Sequence, residues 1–128
     1  MNAARTYRLG DLQLRIMKVL WERGPASVAD VHEALRAEAG LAYTTIATML
    51  RKMEARGLVM HDSEGRRFLY RAAIEPDVVT RSMANDVLDR LFEGRLADMV
   101  DHLLSTREIS REELRELERL IRERKKQP

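Results

Sequence analysis

"AYTTIATMLRKMEARGLV", residues 42–59, reads as a helix that hands over to a strand. Ile46, Met49, Leu50 and Met53 recur at i, i+3, i+4 and i+7, which gathers apolar side chains on one face of a 3.6-residue period. The opposite side carries Thr44, Thr48 and Arg51, flanked by Tyr43, Thr45 and Lys52. These are groups that meet nucleic acid well. A Thr hydroxyl donates or accepts at a base edge, its methyl touches a thymine methyl, and Arg or Lys reaches guanine acceptors or phosphates. The plain alternative is a face that is polar only for solubility, so the neighbouring elements have to decide.

Upstream, Asp11 to Glu22 places Leu12, Ile16, Val19 and Leu20 on one helical face and is stopped by Gly24-Pro25. Ser27 then caps a second helix, with Asp30 at its third position, Val28, Val31 and Leu35 as its stripe and Gly40 at its end. The third helix covers about Tyr43 to Arg56, with Gly57 at the expected left-handed C-terminal residue. Downstream, two runs rich in Val, Leu, Phe and Tyr flank Ser63, Glu64, Gly65 and Arg66, a Gly-containing turn that closes a hairpin. An isolated two-stranded hairpin is marginal in water, so Phe68 and Tyr70 are expected to join the core.

Three helices and a hairpin make a winged helix-turn-helix domain over residues 1–72, whose third helix enters the major groove. Tyr43, Thr44, Thr45 and Thr48 are the expected base-proximal residues. Arg51 and Lys52 are expected on phosphates, and Arg66 and Arg67, beside the hairpin tip, on phosphate or the minor groove. Charge agrees with this partition. Residues 1–72 hold 12 Lys and Arg against 8 Asp and Glu, and residues 73–128 hold 11 against 13.

Residues 73–128 read as a helical dimerisation domain, which makes the whole chain mostly α with a small β-hairpin wing. Val79, Met83, Val87 and Leu91 repeat at i+4, Leu88 and Phe92 widen the stripe, and Gly94 breaks it. Leu96, Met99, Val100, Leu103 and Leu104 follow on a second helix. Ser110 and Glu113 form an S-x-x-E capping box for a third, with Leu114, Leu117 and Ile121 apolar before the charged end "RERKKQP". About fifty residues cannot easily bury so many Leu, Met and Val side chains alone. A second copy is the economical cover, since two-fold homodimers dominate soluble oligomers. Packing back onto the first domain is the alternative.

Other classes find little support. With 128 residues, 45% of them apolar, and no cysteine, the chain can build a core but no disulfide, thiolate metal site or cysteine nucleophile. His32, His61 and His102 lack the paired spacing of a zinc site, and neither a nucleophile elbow nor a Gly-rich phosphate loop is present, so no metal, cofactor or catalysis is expected. Met17, Met49, Met53, Met83 and Met99 lie at core-like spacings, and Trp21 suits an anchor between elements. No run is apolar enough to cross a bilayer and "MNAARTYRLGD" lacks the core of a secretion signal, so a cytoplasmic location is expected.

"LGDLQLRIMKVLWERGPASVADVHEAL", "AYTTIATMLRKMEARGLV" and "EGRRFLYRAAI" resemble the corresponding stretches of the penicillinase repressor family, the BlaI, MecI and CopY-type regulators. The likeness is colinear from about Leu9 to at least Leu104. It implies a homodimeric winged-helix repressor that binds an inverted-repeat operator, often with TACA and TGTA elements, and dimerises through C-terminal helices. Two departures matter. Copper-responsive members carry a cysteine-rich metal site that this chain lacks. In beta-lactam-responsive members a membrane-bound sensor metalloprotease system leads to cleavage at an Asn-Phe bond; the resemblance implies such a sensor partner, but His102-Leu103 stands at the corresponding position and departs from the cleaved pair. The expected function is a homodimeric DNA-binding repressor derepressed by loss of dimerisation. The rival is a winged-helix protein-interaction adaptor, since the fold alone does not establish DNA binding.

Overall fold

Three of the helices, those that begin at Asp11, Val28 and Arg111, start where a side chain binds a free backbone N–H group. In the computed structural model, which describes residues 6–128 and of residues 37–39 the backbone only, α1 (Asp11–Arg23) opens with the Gln13 Oε1 accepting from the Gly10 N–H at 3.1 Å. The first part of the stretch read for a secretion signal, residues 1–5, lies outside the described residues. α2 (Val28–Ala39) carries the expected Ser27 cap, which Asp30 makes reciprocal: Ser27 Oγ accepts from the Asp30 N–H at 3.1 Å and Asp30 Oδ2 accepts from the Ser27 N–H at 3.0 Å. The backbone and hydroxyl bonds to Ser27, with Arg23 3.9 Å away, hold the Asp30 carboxyl below the usual carboxylate range. α3 (Tyr43–Ala55) ends shortly before Gly57, whose φ of 78° is the left-handed conformation that glycine takes without strain.

The hairpin pairs β1 (Val59–Glu64) with β2 (Arg67–Ala72) antiparallel, from Val59 opposite Ala72 to Glu64 opposite Arg67. The strands therefore run further than expected. Ser63 and Glu64 belong to the ladder, and the loop is Gly65–Arg66 alone, with Gly65 at φ 62°. At the other end Ala26 and Tyr70 exchange both backbone hydrogen bonds, at 2.9 and 2.8 Å, which ties the wing to the α1–α2 turn.

By its contacts the chain divides into two units, residues 1–84 and 85–128. The first has a dry core in which Ile16 and Met17 of α1, Val31 of α2, Ile46, Leu50 and Met53 of α3, and Val59 of β1 are fully buried. Tyr70 joins them. Phe68 does not: it is 49% exposed, because two residues further along the same strand face the ribbon has passed the edge of the helices. The first unit also takes in the start of α4 (Pro76–Phe92). Val79 is buried there, Met83 packs against the same core, and the Trp21 Nε1–H donates to the Ile74 carbonyl at 2.8 Å. The i+4 stripe read along α4 is thus divided, with Val79 and Met83 inside the first core and Val87 and Leu91 exposed.

In the second unit α4 closes through Glu93 and Gly94, both at positive φ, with the Gly94 N–H donating to the Leu88 carbonyl at 3.1 Å. α5 (Leu96–Thr106) and α6 (Arg111–Lys125) follow, and Ser110 Oγ accepts from the Glu113 N–H at 3.0 Å. No side chain of residues 85–128 is buried. Among the described residues no helix is long and apolar enough to cross a membrane.

Candidate nucleic-acid interface

Burial of Ile46, Leu50 and Met53 fixes how α3 is rolled about its axis, and this decides what the helix offers outward. Thr44, Thr45, Arg51 and Lys52 are exposed, Tyr43 is 50% exposed and Thr48 is half-buried. Thr44, Thr45, Thr48 and Lys52 line one shallow depression with Met49, whose Sδ accepts from the Gln13 Nε2–H at 3.6 Å. Arg51 leans back along the helix, its guanidinium 3.4 Å from the Thr48 Oγ1.

The turn before α3 is held by a side chain that sequence patterning did not single out. His32 Nε2 lies 2.7 Å from the Leu41 carbonyl, and since a carbonyl only accepts, this nitrogen carries the proton. The same ring meets Tyr43 edge-on at 6.0 Å, so α2 orients the first residue of α3.

Arg66 sits in the hairpin loop and Arg67 begins β2. Glu64 pairs with Arg67 at 3.7 Å in solvent, an interaction worth little. A second cleft brings Tyr43, Arg66 and Arg67 together with Phe68 and the Ser27–Ala29 start of α2. The eight residues expected to meet DNA therefore fall mainly into two surfaces: threonines with Lys52, and Tyr43 with the two wing arginines. Phe68 is the addition, and its only signal was its place next to the arginines.

The residues expected to dimerise lie on the second unit. Val87, Leu91, Leu96, Val100, Leu103, Leu104, Leu114 and Ile121 are exposed, with Leu91 at 72%, Leu96 at 63% and Ile121 at 55%. Leu88, Phe92, Met99 and Leu117 are half-buried. Leu120, at 49%, was missed because only the i, i+3, i+7 series was followed along α6. Charges flank this helix: Arg119 binds Glu116 and Glu123, which holds the Glu116 carboxyl below its usual range. The His102–Leu103 bond lies inside α5, where the His102 carbonyl accepts from the Thr106 hydroxyl at 2.8 Å and its ring meets Phe92 at 5.8 Å.

Residues 9–123 match the family model described as penicillinase repressor. The penicillinase repressor of Bacillus licheniformis is 30% identical over 118 residues, 92% of this chain and 92% of that protein. The transcriptional regulator BlaI of Mycobacterium tuberculosis is 37% identical over 86 residues, 66% of this chain and 62% of that one. Among solved structures, the monomeric form of Bacillus licheniformis BlaI in complex with the blaP half-operator superposes with a TM-score of 0.50 at 28% identity, covering 58% of this chain and 90% of that one. This chain belongs to the penicillinase repressor family, whose members are transcriptional repressors and not enzymes.

Proposed function

We propose that this chain represses transcription as a homodimer that occupies an inverted-repeat operator. The observation that carries the reading is the split character of α3, with Ile46, Leu50 and Met53 sealed in the core while Thr44, Thr45, Arg51 and Lys52 face out. A relative of 28% identity has been solved on a half-operator, which supports the same partner here. Thr44, Thr45 and Thr48 read base edges in the major groove, Arg51 and Lys52 set register on phosphates, and Arg66 and Arg67 hold the backbone beside the wing. Tyr43 joins the arginines.

The exposed leucines of α5 and α6 hold two copies together, so that two recognition helices meet the duplex about one helical turn or a multiple apart. Repression follows from occupancy, and occupancy from dimerisation, because a single half-site binds weakly. Whatever loosens the second unit derepresses without touching the DNA contacts. In the beta-lactam-responsive members that the sequence resembles, a sensor metalloprotease system is the route to that end. Here cleavage at His102–Leu103 requires α5 to unwind first, since the bond lies within a hydrogen-bonded helix.

The test is a gel shift with a fragment bearing inverted TACA and TGTA elements in excess nonspecific DNA. Retention of the specific complex supports the reading. Loss of the complex under competition, or equal retention of a scrambled fragment, refutes it and favours the adaptor.

A further inference from the structure

The wing is tied to the helices at its base, through Ala26 and Tyr70, but its cations lie further out. From the His61–Tyr70 pair the ribbon continues through Asp62–Leu69 and Ser63–Phe68 to Glu64–Arg67 and the Gly65–Arg66 loop. A free two-stranded ribbon is marginal and strongly twisted. Arg66 and Arg67 keep a defined position relative to α3 only when something above the base sets the ribbon's angle.

His61 stands opposite Tyr70 on the base rung, and its side chain reaches from there to the next rung outward, at Phe68. Its backbone N–H donates to Glu54 Oε2 at 3.1 Å, and its Nδ1 lies 2.8 and 2.7 Å from the two Glu54 oxygens. A carboxylate only accepts, so Nδ1 carries the proton and one Glu54 side chain holds both the backbone and the ring of His61. Glu54 stands on α3, just beyond Arg51 and Lys52. The ring of His61 in turn stacks on Phe68, with centroids 4.1 Å apart and planes 27° apart, and approaches Tyr70 at 5.5 Å. Phe68 is the residue before which the two wing arginines stand, and it lines their cleft.

Carboxylate, imidazole and phenyl thus form one series from the recognition helix to the outer ribbon. Its exposure argues against a packing role. The side chains of His61 and Glu54 are 30% and 32% exposed, a setting in which a hydrogen bond to a carboxylate adds little stability but its direction still constrains geometry. A leucine pair would fill the same space and fix no angle.

We infer that Glu54 and His61 are positioning residues for the wing: they set the ribbon's angle to α3 and so bring Arg66 and Arg67 to the duplex that α3 enters. This rests on the DNA-binding reading above. The two act through the arginines and touch no DNA themselves.

Fluorescence anisotropy of the full chain on a labelled duplex of mixed sequence, over a potassium chloride series, tests it. Each phosphate neutralised adds about 0.9 to the magnitude of the slope of log affinity against log salt. His61→Ala is expected to lower that magnitude by about 0.9 to 1.8 per protomer, the share of one or both arginines. His61→Asn, whose side-chain N–H can stand where Nδ1 stands but which has no ring to stack on Phe68, is expected to recover part of it. In a background of Arg66→Ala with Arg67→Ala, His61→Ala should change nothing further, since residues acting through one another are not additive.

General damage to the fold would lower affinity in both backgrounds and would not respond to Asn. A His61→Ala slope equal to the wild type, equal effects in both backgrounds, or no recovery by Asn overturns the inference. A wild type that binds no duplex at any salt removes the DNA reading itself, whereas normal wild-type binding with a silent His61→Ala removes only the role of the brace.

Discussion

Ile121→Ala separates association from folding, because Ile121 is 55% exposed in the protomer and its truncation leaves no cavity there. Burying a whole Ile side chain is worth about 1.5–3 kcal/mol. With roughly half of the residue still open, about 0.8–1.5 kcal/mol remains for a second copy to gain. A two-fold interface contains the position twice, so the dimer loses about 1.6–3 kcal/mol, or about 15- to 150-fold in dissociation constant. Sedimentation equilibrium over a dilution series measures this directly. The protomer's own stability should change by under about 0.5 kcal/mol, as is usual for surface positions. Affinity for a full inverted repeat should fall with dimerisation while affinity for a half-site stays constant. An unchanged dissociation constant, or a wild type that sediments as a monomer at micromolar concentration, would refute the reasoning.

Arg51→Ala and Lys52→Ala should each weaken binding on all sequences and reduce the magnitude of the salt slope by about 0.9 per protomer, read by anisotropy over a salt series. Met53→Ala, at a fully buried position, should cost about 2–5 kcal/mol in denaturant melts. Thr44→Ala, at an exposed one, should stay within about 0.5 kcal/mol in those melts yet lower the preference for specific over scrambled DNA in competition shifts. The Asp30 carboxyl is held below its ordinary range by Ser27, so its folded form is stabilised above the unfolded value and that contribution disappears as pH falls through the lower folded one. Melts of the wild type and Asp30→Ala should therefore differ at neutral pH and converge as pH drops below about 4.

The features legible in the sequence were those decided within a few residues. The Ser27–Asp30 cap and the Gly57 end of α3 depend on side chains or dihedrals three or fewer positions away, and both stand where patterning put them. The polar face of α3 followed from the period of its apolar one. What escaped was set by distance. Alternation put Phe68 and Tyr70 on one strand face but could not say where the helices beneath would end, and Phe68 lies past that edge. The i+4 series of α4 gave the stripe but not that Val79 and Met83 would serve a different unit from Val87 and Leu91. The spacing of the histidines spoke only against a zinc site, and did not say that His32 and His61 would hold the Leu41 carbonyl and the Glu54 carboxylate across turns of the chain.

The second unit keeps no side chain sealed from water. If two copies pair as proposed, this would turn an economy of size into a dose response: at low expression the paired species would grow with the square of the amount made. Halving the gene product would then lower the active form by up to about fourfold. The bare leucines of α5 and α6 would make such a switch steep without any cooperative site on the DNA.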